Sequence, residues 1–364
     1  MTAGPVVVLG AGPAGLAAAL QLARRGFSVT VLERGGAVGG NAGSFDLEGL
    51  RVDYGSHRLH PACPPEILAD IRAMLGDDLL ERPRHGRIRL AGRWLHFPLK
   101  PLDLALHAPP AFVAGVARDM AWKPPGEHPE DSFAGVLERG LGPTICRDFY
   151  FPYARKIWGV DPAALDGEQA RRRVAAQSIG AMLRKVARGA RGGRFYYPRR
   201  GYGQIGESYA DAARQAGVRV LLNTAAQGVE IDSGRVTAVV AGDRFPASLV
   251  LSTIPITALA RLVSPALEAP GLQYRSMVLT YLVLEADRFT GYDAHYFPGP
   301  ELAVTRVSEP KNYGLADAPG RTVLCAEWPC STRDAAWTRG DAELGRLVVE
   351  GLARTGLPVH APVL

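Results

Sequence analysis

The chain has 364 residues, which is long for a single hydrophobic core and predicts two domains. Its hydrophobic content of 47% and charged content of 21% are ordinary for a globular protein and exclude a low-complexity or disordered chain. No apolar run has the length of a membrane span or the basic flank of a signal peptide, so the expected location is the cytoplasm.

The net charge of +6 is unevenly distributed, since ten basic and no acidic residues stand between Glu168 and Glu207. Such a block attracts anions. We expect most of it to form a solvated face, with one or two side chains at a ligand phosphate. No nucleic-acid-reading motif accompanies it, which predicts a small-molecule partner and no nucleic acid. A membrane surface stays open as a partner, although these residues do not support it, and the oligomeric state also stays open.

The four cysteines are scattered and contain no C-x-x-C pair. This spacing predicts neither a metal site nor a disulfide framework.

The first elements follow the order strand, glycine turn, helix, strand. The β-branched run at 5–9 predicts a buried strand, and the run at 27–32 predicts a second one. The alanine-rich stretch between them predicts a helix that ends at Gly26. Three glycines in G-x-G-x-x-G spacing connect the first strand to this helix; they are Gly10, Gly12 and Gly15.

Each of these glycines has a separate expected role. Gly10 permits the tight turn, Gly12 lets the backbone approach a pyrophosphate, and Gly15 lets the helix pack close to the strand. The helix N-terminus directs its free N–H groups at the phosphates. Glu33 follows the second strand, where a carboxylate accepts both ribose hydroxyls. The pattern predicts a bound dinucleotide but does not separate NAD from FAD.

A second glycine pair, Gly39 and Gly40, stands in the stretch RGGAVGGNAGSF directly after Glu33. This arrangement resembles the FAD-binding motif of the amine-oxidase and protoporphyrinogen-oxidase flavoproteins, and the resemblance implies FAD. Many members have arginine after the pair. Asn41 at this position is similar instead to the UDP-galactopyranose mutase branch of the same superfamily.

The stretch DYGSHRLH at 53–60 resembles the mutase segment in which a glycine and two histidines approach the flavin ring. The resemblance implies that His57 is catalytic, and it leaves His60 open. Together with the first motif, it implies a set of cofactor-binding residues: Gly10, Gly12, Pro13, Ala14, Gly15, Glu33, Arg34, Gly39, Gly40, Asn41, Gly55, Ser56 and Val229.

The next stretch predicts an inserted, largely helical region. Residues 64–75 favour an amphipathic helix, and 86–99 a hairpin that turns at Ala91-Gly92. An apolar helical stretch at 101–123 is interrupted by Pro109-Pro110, and 132–160 predicts another helix.

Residues 149–159 resemble a P-Y-x-x-K-x-W-G segment shared by the mutases and their relatives. The resemblance implies that Trp158 lines the substrate pocket. It also implies a substrate arginine within Arg171–Arg173, for which Arg172 is the candidate. Density of aromatic residues alone equally favours a packed core.

The return to the nucleotide-binding domain begins at 196. A Gly-Tyr-Gly turn containing the substrate-binding candidate Tyr202 leads into a helix. Strands are predicted at 218–222, 228–232, 235–241 and 244–252. The segment resembles the family stretch in which Val229 lies beside the adenine.

Residues 276–329 predict an antiparallel sheet, and 341–354 a last helix. Part of this sheet is similar to the strand pair that floors the substrate pocket in these relatives. The resemblance implies that Arg306 binds a pyrophosphate, and the planar guanidinium fork suits that role. Family members continue with a segment that closes over the flavin. We expect that segment to be absent, which leaves FAD retention open.

The predicted fold is α/β: a discontinuous Rossmann-like FAD-binding domain with an inserted substrate domain of helices and antiparallel sheet. The FAD-binding domain is expected to comprise 1–75 and 196–260. The substrate domain is expected to comprise 76–195 and 261–364.

Three functions fit these features. The first is an FAD-dependent oxidoreductase that passes hydride from a small-molecule substrate to flavin N5. The alternative is a non-redox sugar-nucleotide mutase that uses reduced FAD as a nucleophile. A minor alternative is a flavin-free, truncated binding module. The substrate and the electron acceptor stay open.

Overall fold

The structure is a computed structural model, and the chain in it divides into two compact units. The described residues are 4–122, 126–173, 193–265, 267–268, 271–314 and 318–364. The first unit comprises Met1–Glu81, Tyr196–Gln273 and Gly314–Ala316. The second unit comprises Arg82–Phe195, Tyr274–Tyr313 and Asp317–Leu364.

The described residues form the following helices and strands. The helices are α1 (Pro13–Arg24), α2 (Pro65–Leu75), α3 (Pro101–His107), α4 (Pro110–Ala121), α5 (Phe133–Ile145), α6 (Phe151–Trp158), α7 (Gly167–Arg173), α8 (Gln204–Gln215), α9 (Ile256–Leu262), α10 (Ala335–Thr338) and α11 (Asp341–Arg354). The strands are β1 (Val6–Leu9), β2 (Val29–Leu32), β3 (Ser44–Leu47), β4 (Leu50–Asp53), β5 (Leu79–Pro83), β6 (Gly86–Leu90), β7 (Arg93–Phe97), β8 (Arg194–Pro198), β9 (Arg219–Leu221), β10 (Gly228–Asp232), β11 (Arg235–Ala241), β12 (Asp243–Pro246), β13 (Leu249–Ser252), β14 (Val263–Ser264), β15 (Ser276–Leu284), β16 (Ala294–Tyr296), β17 (Arg306–Ser308) and β18 (Thr322–Cys330).

The first unit is built on a parallel sheet in the order β13-β1-β2-β9. All four residues of β1 are buried, as expected of a strand covered on both faces. On one face the apolar sides of α1 and α8 pack against the sheet in a single cluster that includes Leu16, Leu20 and Tyr209. The predicted α/β fold class is confirmed.

The second strand of this sheet begins at Val29, two residues later than predicted. Phe27 donates its amide hydrogen to the Leu22 carbonyl, and Gly26 adopts a left-handed φ of 85°. Both residues therefore belong to the turn that ends α1, because this turn satisfies carbonyls that the helix leaves free.

The single strand predicted at 244–252 is wrong. β12 pairs antiparallel with β11, whereas β13 pairs parallel with β1. The amide of Ala247 donates to Thr237, and the amide of Ser248 donates to Pro5. The chain thus changes partner between two adjacent residues and enters a second sheet.

The second unit contains a six-stranded sheet in the order β15-β18-β17-β16-β6-β7. Four of its strands, between Ser276 and Cys330, are antiparallel neighbours, which confirms the antiparallel sheet predicted at 276–329. The hairpin β6–β7 extends the same sheet through a parallel pairing of β6 with β16. The helix α11 packs on this sheet through Val348 and Leu352.

The single helix predicted at 132–160 is also wrong, because it is interrupted twice. Gly142 has a φ of 76° and precedes Pro143, which has no amide hydrogen to continue the ladder. A π-helical turn at Cys146–Tyr150 then separates α5 from α6. Among the described residues, none of the helices has the length and hydropathy needed to cross a bilayer.

Candidate functional site

The glycine turn after β1 leaves open space beside Gly12. Gly10 has a φ of 100°, and a Cβ built on Gly15 would lie 2.0 Å from the Gly10 carbonyl oxygen, so both positions require glycine. A Cβ on Gly12 would meet no atom within 4 Å. Gly12 precedes α1, whose first residues are Pro13 and Ala14. The start of α1 therefore faces a space in which an anion can approach its positive end.

The Glu33 carboxylate is held at the end of β2 by two backbone amides. Ala11 donates to Oε2 and Gly35 donates to Oε1, each at 2.8 Å. Glu33 is half-buried, whereas its neighbour Arg34 is exposed. The carboxylate thus has a fixed orientation next to the glycine turn, where the dinucleotide pattern places a ribose.

The second glycine pair lies against the first turn. Gly39 donates its amide hydrogen to the Ala11 carbonyl at 2.8 Å. A Cβ on Gly40 would lie 3.5 Å from the Gly12 Cα, and both glycines of the pair have left-handed φ values. The exposed Asn41 follows in a short turn. The structure therefore brings together two glycine segments that the sequence shows only as separate motifs.

A buried carboxylate that the sequence analysis did not single out organises the next segment. Asp53 accepts hydrogen bonds from the Ser44 hydroxyl at 2.6 Å, the Tyr197 hydroxyl at 2.6 Å and the Tyr202 amide at 2.9 Å. Burial raises the pKa of the Asp53 carboxyl, against the lowering effect of these donors. Asp53 thus joins the strand β4 to the turn that contains Tyr202.

His57 lies in the segment that follows β4, opposite this turn. Its ring stacks on the Tyr202 ring with centroids 5.2 Å apart and planes 25° apart. Burial raises the pKa of Tyr202 to about 12, so its hydroxyl is neutral at physiological pH. Gly55, with a φ of 91°, and Ser56 lead into His57. The predicted catalytic residue and the candidate Tyr202 are therefore neighbours.

His60 has a local role instead. It is exposed, and its Nδ1 accepts a hydrogen bond from the Ala62 amide at 3.0 Å.

Val229 is a core residue of the first unit. Its side chain is buried in a cluster with Val7, Leu9 and Leu32 on the sheet. Because this side chain is buried in the core, contact with an adenine would have to come from the backbone of β10. The place of Val229 beside the adenine stays a prediction.

The second unit contains Trp158, Arg172 and Arg306. Trp158 is half-buried against the helical cluster around Leu137. Arg172 is exposed and pairs with Glu168 at 2.8 Å on α7. The rest of the predicted basic block between 174 and 192 lies outside the described residues.

Arg306 forms an ion pair across the strands β17 and β18. Its Nε donates to Glu327 Oε2 at 2.9 Å, and its Nη2 donates to the other carboxylate oxygen. Burial opposes the charge on Arg306, but the Glu327 carboxylate outweighs burial and raises the pKa of the guanidinium. The predicted pyrophosphate-binding role is untested, and the structure supplies this arginine with an internal counter-charge.

The lysine of the P-Y-x-x-K-x-W-G segment also has internal partners. Lys156 Nζ donates to the carbonyls of Phe297, Gly299 at 3.0 Å and Val304 at 2.9 Å. Burial lowers its pKa to about 8 from an ordinary 10.5. Lys156 therefore links α6 to the loop between β16 and β17 through these hydrogen bonds.

Replacing Lys156 with methionine is expected to destabilise the protein by about 2 kcal/mol, because a charged donor to three carbonyls is lost. Between pH 8 and 10.5 the unfolded chain retains a proton that the folded Lys156 has released, so wild-type stability rises with pH in this window. The variant lacks this rise. Urea midpoints measured across these pH values test both effects. Arg155→Met, an exposed change on the same helix, is the control and should shift the midpoint little.

The described residues fit a dinucleotide such as FAD. They provide a glycine turn that borders open space, an oriented carboxylate and a second glycine pair against the first. Across the described part of the chain, no group of three or more His, Cys, Asp and Glu side chains could hold a metal ion. The parallel sheet and this cradle define a dinucleotide-binding protein.

Comparison with known proteins assigns the family. The profile of the flavin containing amine oxidoreductase family matches residues 13–355. The chain therefore belongs to the flavin containing amine oxidoreductases, and FAD is its cofactor.

One curated relative is named as a dehydrogenase. A phytoene dehydrogenase from Streptomyces griseus is 28% identical over 282 residues, which cover 68% of this chain and 54% of the relative. The chain thus spans about half the length of this curated relative.

Solved structures share the fold at low identity. A reduced UDP-galactopyranose mutase matches with a TM-score of 0.79 and 20% identity, covering 100% of this chain and 82% of the mutase. A protein from Exiguobacterium, described as a candidate protoporphyrinogen oxidase, matches with a TM-score of 0.76 and 19% identity, covering 100% and 86%.

Proposed function

We propose that the protein is an FAD-dependent oxidoreductase that moves hydride from a small-molecule substrate to the flavin. The observation that supports this most is the cradle in the first unit, in a chain of the flavin containing amine oxidoreductase family. The phytoene dehydrogenase relative is named for the same class of reaction. When bound, FAD supplies the hydride acceptor, N5 of its ring.

The chain's own residues hold and orient the cofactor in this proposal. The backbone at Gly12 and the start of α1 receive the pyrophosphate, and Glu33 receives the ribose hydroxyls. Gly39 and Gly40 let the chain pass close to the same group. Because the Glu33 oxygens are already oriented by Ala11 and Gly35, binding does not require this side chain to be ordered first.

His57 is the catalytic candidate of the proposal. Asp53 fixes the Tyr202 backbone, and Tyr202 supports the imidazole ring by stacking. A positioned imidazole can accept or donate a proton near neutral pH. In the proposal the His57 imidazole would accept the proton that the substrate releases as its hydride passes to the flavin, while Asp53 and Tyr202 are positioning residues.

The mutase alternative requires arginines that bind a nucleotide diphosphate. Arg306 is one of its two candidates and already pairs with Glu327, and the other, Arg172, pairs with Glu168. These pairings favour the oxidoreductase.

An anaerobic product assay distinguishes the two reactions. Purified protein with FAD is supplied with nucleotide sugars and with polyene hydrocarbons, once with oxidised and once with reduced flavin. With oxidised flavin we expect a product two hydrogens lighter than the substrate, together with stoichiometric bleaching of the flavin. With reduced flavin we expect neither. An isomer of unchanged mass that forms only with reduced flavin would overturn the oxidoreductase and establish the mutase.

A further inference from the structure

An apolar cavity of about 440 Å³ lies in the second unit. The hairpin β6–β7, the helices α3 and α4, and the end of α5 enclose it. Among the described residues that line it, only Tyr150 has a polar side-chain group. A well-formed apolar cavity of this size is a candidate binding site.

The apolar lining determines which class of ligand the cavity can bind. A polar or charged molecule would lose its hydration without gaining hydrogen bonds from the walls, which is costly. A hydrocarbon chain has no hydrogen bonds with water to lose on entry, and it gains van der Waals contacts with the apolar walls. The ligand class that fits is therefore an extended apolar molecule.

The cavity reaches the protein surface along α3 and α4. Val113 and Met120 of α4 line the cavity and are about half exposed to solvent. Ala105 of α3 and Ala117 of α4 also both line the cavity and are exposed. The mouth of the cavity therefore lies between these two helices.

The surface around this mouth, which we call the α3–α4 face (residues 102–122), is almost entirely apolar. Of its 13 exposed side chains, 11 are apolar, and the other two belong to His107 and Arg118. Leu106 is 64% exposed and Trp122 is 75% exposed. Exposed apolar side chains at this density indicate a surface that contacts another hydrophobic body.

The most exposed charged side chains at the edge of this face are cationic or titratable to a cation. The exposed charged or titratable side chains at 100–122 are Lys100, His107 and Arg118. The two acidic residues are less exposed, and each pairs with one of these side chains. Asp119, which has no exposed side-chain surface, pairs with Arg118 at 3.1 Å, and Asp103, which is 23% exposed, pairs with His107 at 3.1 Å. An apolar face with a cationic edge is complementary to a bilayer that contains anionic lipids.

We propose that the α3–α4 face docks in the plane of an anionic lipid bilayer and that the cavity behind it takes up an apolar chain from that bilayer. α3 and α4 have 7 and 12 residues, so they can lie in the interface but cannot span it. The proposal goes beyond the proposed oxidoreductase and does not depend on it, because docking and uptake involve no flavin chemistry.

Vesicle sedimentation with the 364-residue chain loaded with FAD tests the docking. We expect binding to vesicles of phosphatidylcholine mixed with phosphatidylglycerol and at least about tenfold weaker binding to phosphatidylcholine alone, with a decrease at high salt. Leu106→Asp combined with Trp122→Asp should abolish binding without affecting folding, because both side chains are exposed. Leu272→Asp, at a 57% exposed leucine of the first unit, is the matched control and should bind as the wild type.

Binding of diphenylhexatriene in detergent-free buffer tests the cavity. Its fluorescence should saturate with the wild type, and Ala117→Trp, which places a large ring at the mouth, should weaken binding at least about tenfold. Vesicle binding of this variant should be retained.

Three results would overturn the proposal. These are absence of vesicle binding by the wild type, equal loss in the Leu272→Asp control, and diphenylhexatriene binding unaffected by Ala117→Trp. A stable dimer that the double variant dissociates, without any vesicle binding, would assign the face to self-association.

Discussion

Replacing Gly12 with valine is expected to abolish FAD binding while leaving the fold intact. The Gly12 backbone has a φ of −73° and a ψ of 172°, which any residue adopts, and a Cβ there meets no protein atom within 4 Å. The valine side chain would therefore occupy the space that the pyrophosphate needs. We expect a loss of about 100-fold or more in affinity, which corresponds to about 2.7 kcal/mol. Flavin absorbance after gel filtration and titration of the apoprotein measure it.

Gly340 offers a matched control. It precedes α11 with a φ of −75° and a ψ of 160°, and a Cβ there also meets nothing within 4 Å. Gly340→Val should retain FAD, because no dinucleotide is expected at that helix. Normal flavin content in Gly12→Val would contradict the assignment of the cradle.

Gly15→Ala is expected to lower the stability of the protein itself. The added methyl group would lie 2.0 Å from the Gly10 carbonyl oxygen, so the protein itself is destabilised. The melting temperature of the apoprotein separates this outcome from a binding defect. Gly15→Ala should lower this temperature, whereas Gly12→Val should leave it unchanged.

Replacing Arg306 with methionine is expected to destabilise the protein by about 3 kcal/mol. The Glu327 side chain is only 5% exposed, so the variant leaves a buried carboxylate without its partner guanidinium. Urea denaturation measures the change. Arg172→Met, which removes an exposed arginine from its pair with Glu168, is the control and should cost less than about 0.5 kcal/mol.

A second variant decides whether the pair is structural. Arg306→Met combined with Glu327→Leu should recover to within about 1 kcal/mol of the wild type, since a buried pair replaced by apolar side chains is close to neutral. A pyrophosphate-binding role predicts a different pattern, in which Arg306→Met keeps its stability and loses affinity for nucleotide sugars.

The cradle could be predicted because its determinants are local. A buried run, three glycines, a helix and a second run stand within some thirty residues. Gly10 is required by its own left-handed φ, and Gly15 by its contact with the Gly10 carbonyl oxygen. Gly39 and Gly40 extend this pattern by a few positions. Spacing alone is informative where the partners of a residue are close in sequence.

The partners of the buried charges could not be predicted in this way. Asp53 is bound by Tyr197, 144 positions away, and Lys156 binds carbonyls more than 140 positions away. Only the three-dimensional pairing of strands and loops brings these atoms together. A signal did exist for Asp53, which is an acidic residue directly after the buried Val52, but no sequence feature identifies its donors.

The strand order of the first unit has a consequence for synthesis. β1 is central, and one of its two neighbours, β13, is encoded roughly 240 residues later. At ribosomal rates of 5–20 residues per second, one edge of β1 waits on the order of 10–50 s for its partner. An unpaired apolar strand is prone to aggregate during such a delay. The nascent chain is therefore expected to depend on a holding chaperone until β13 has emerged.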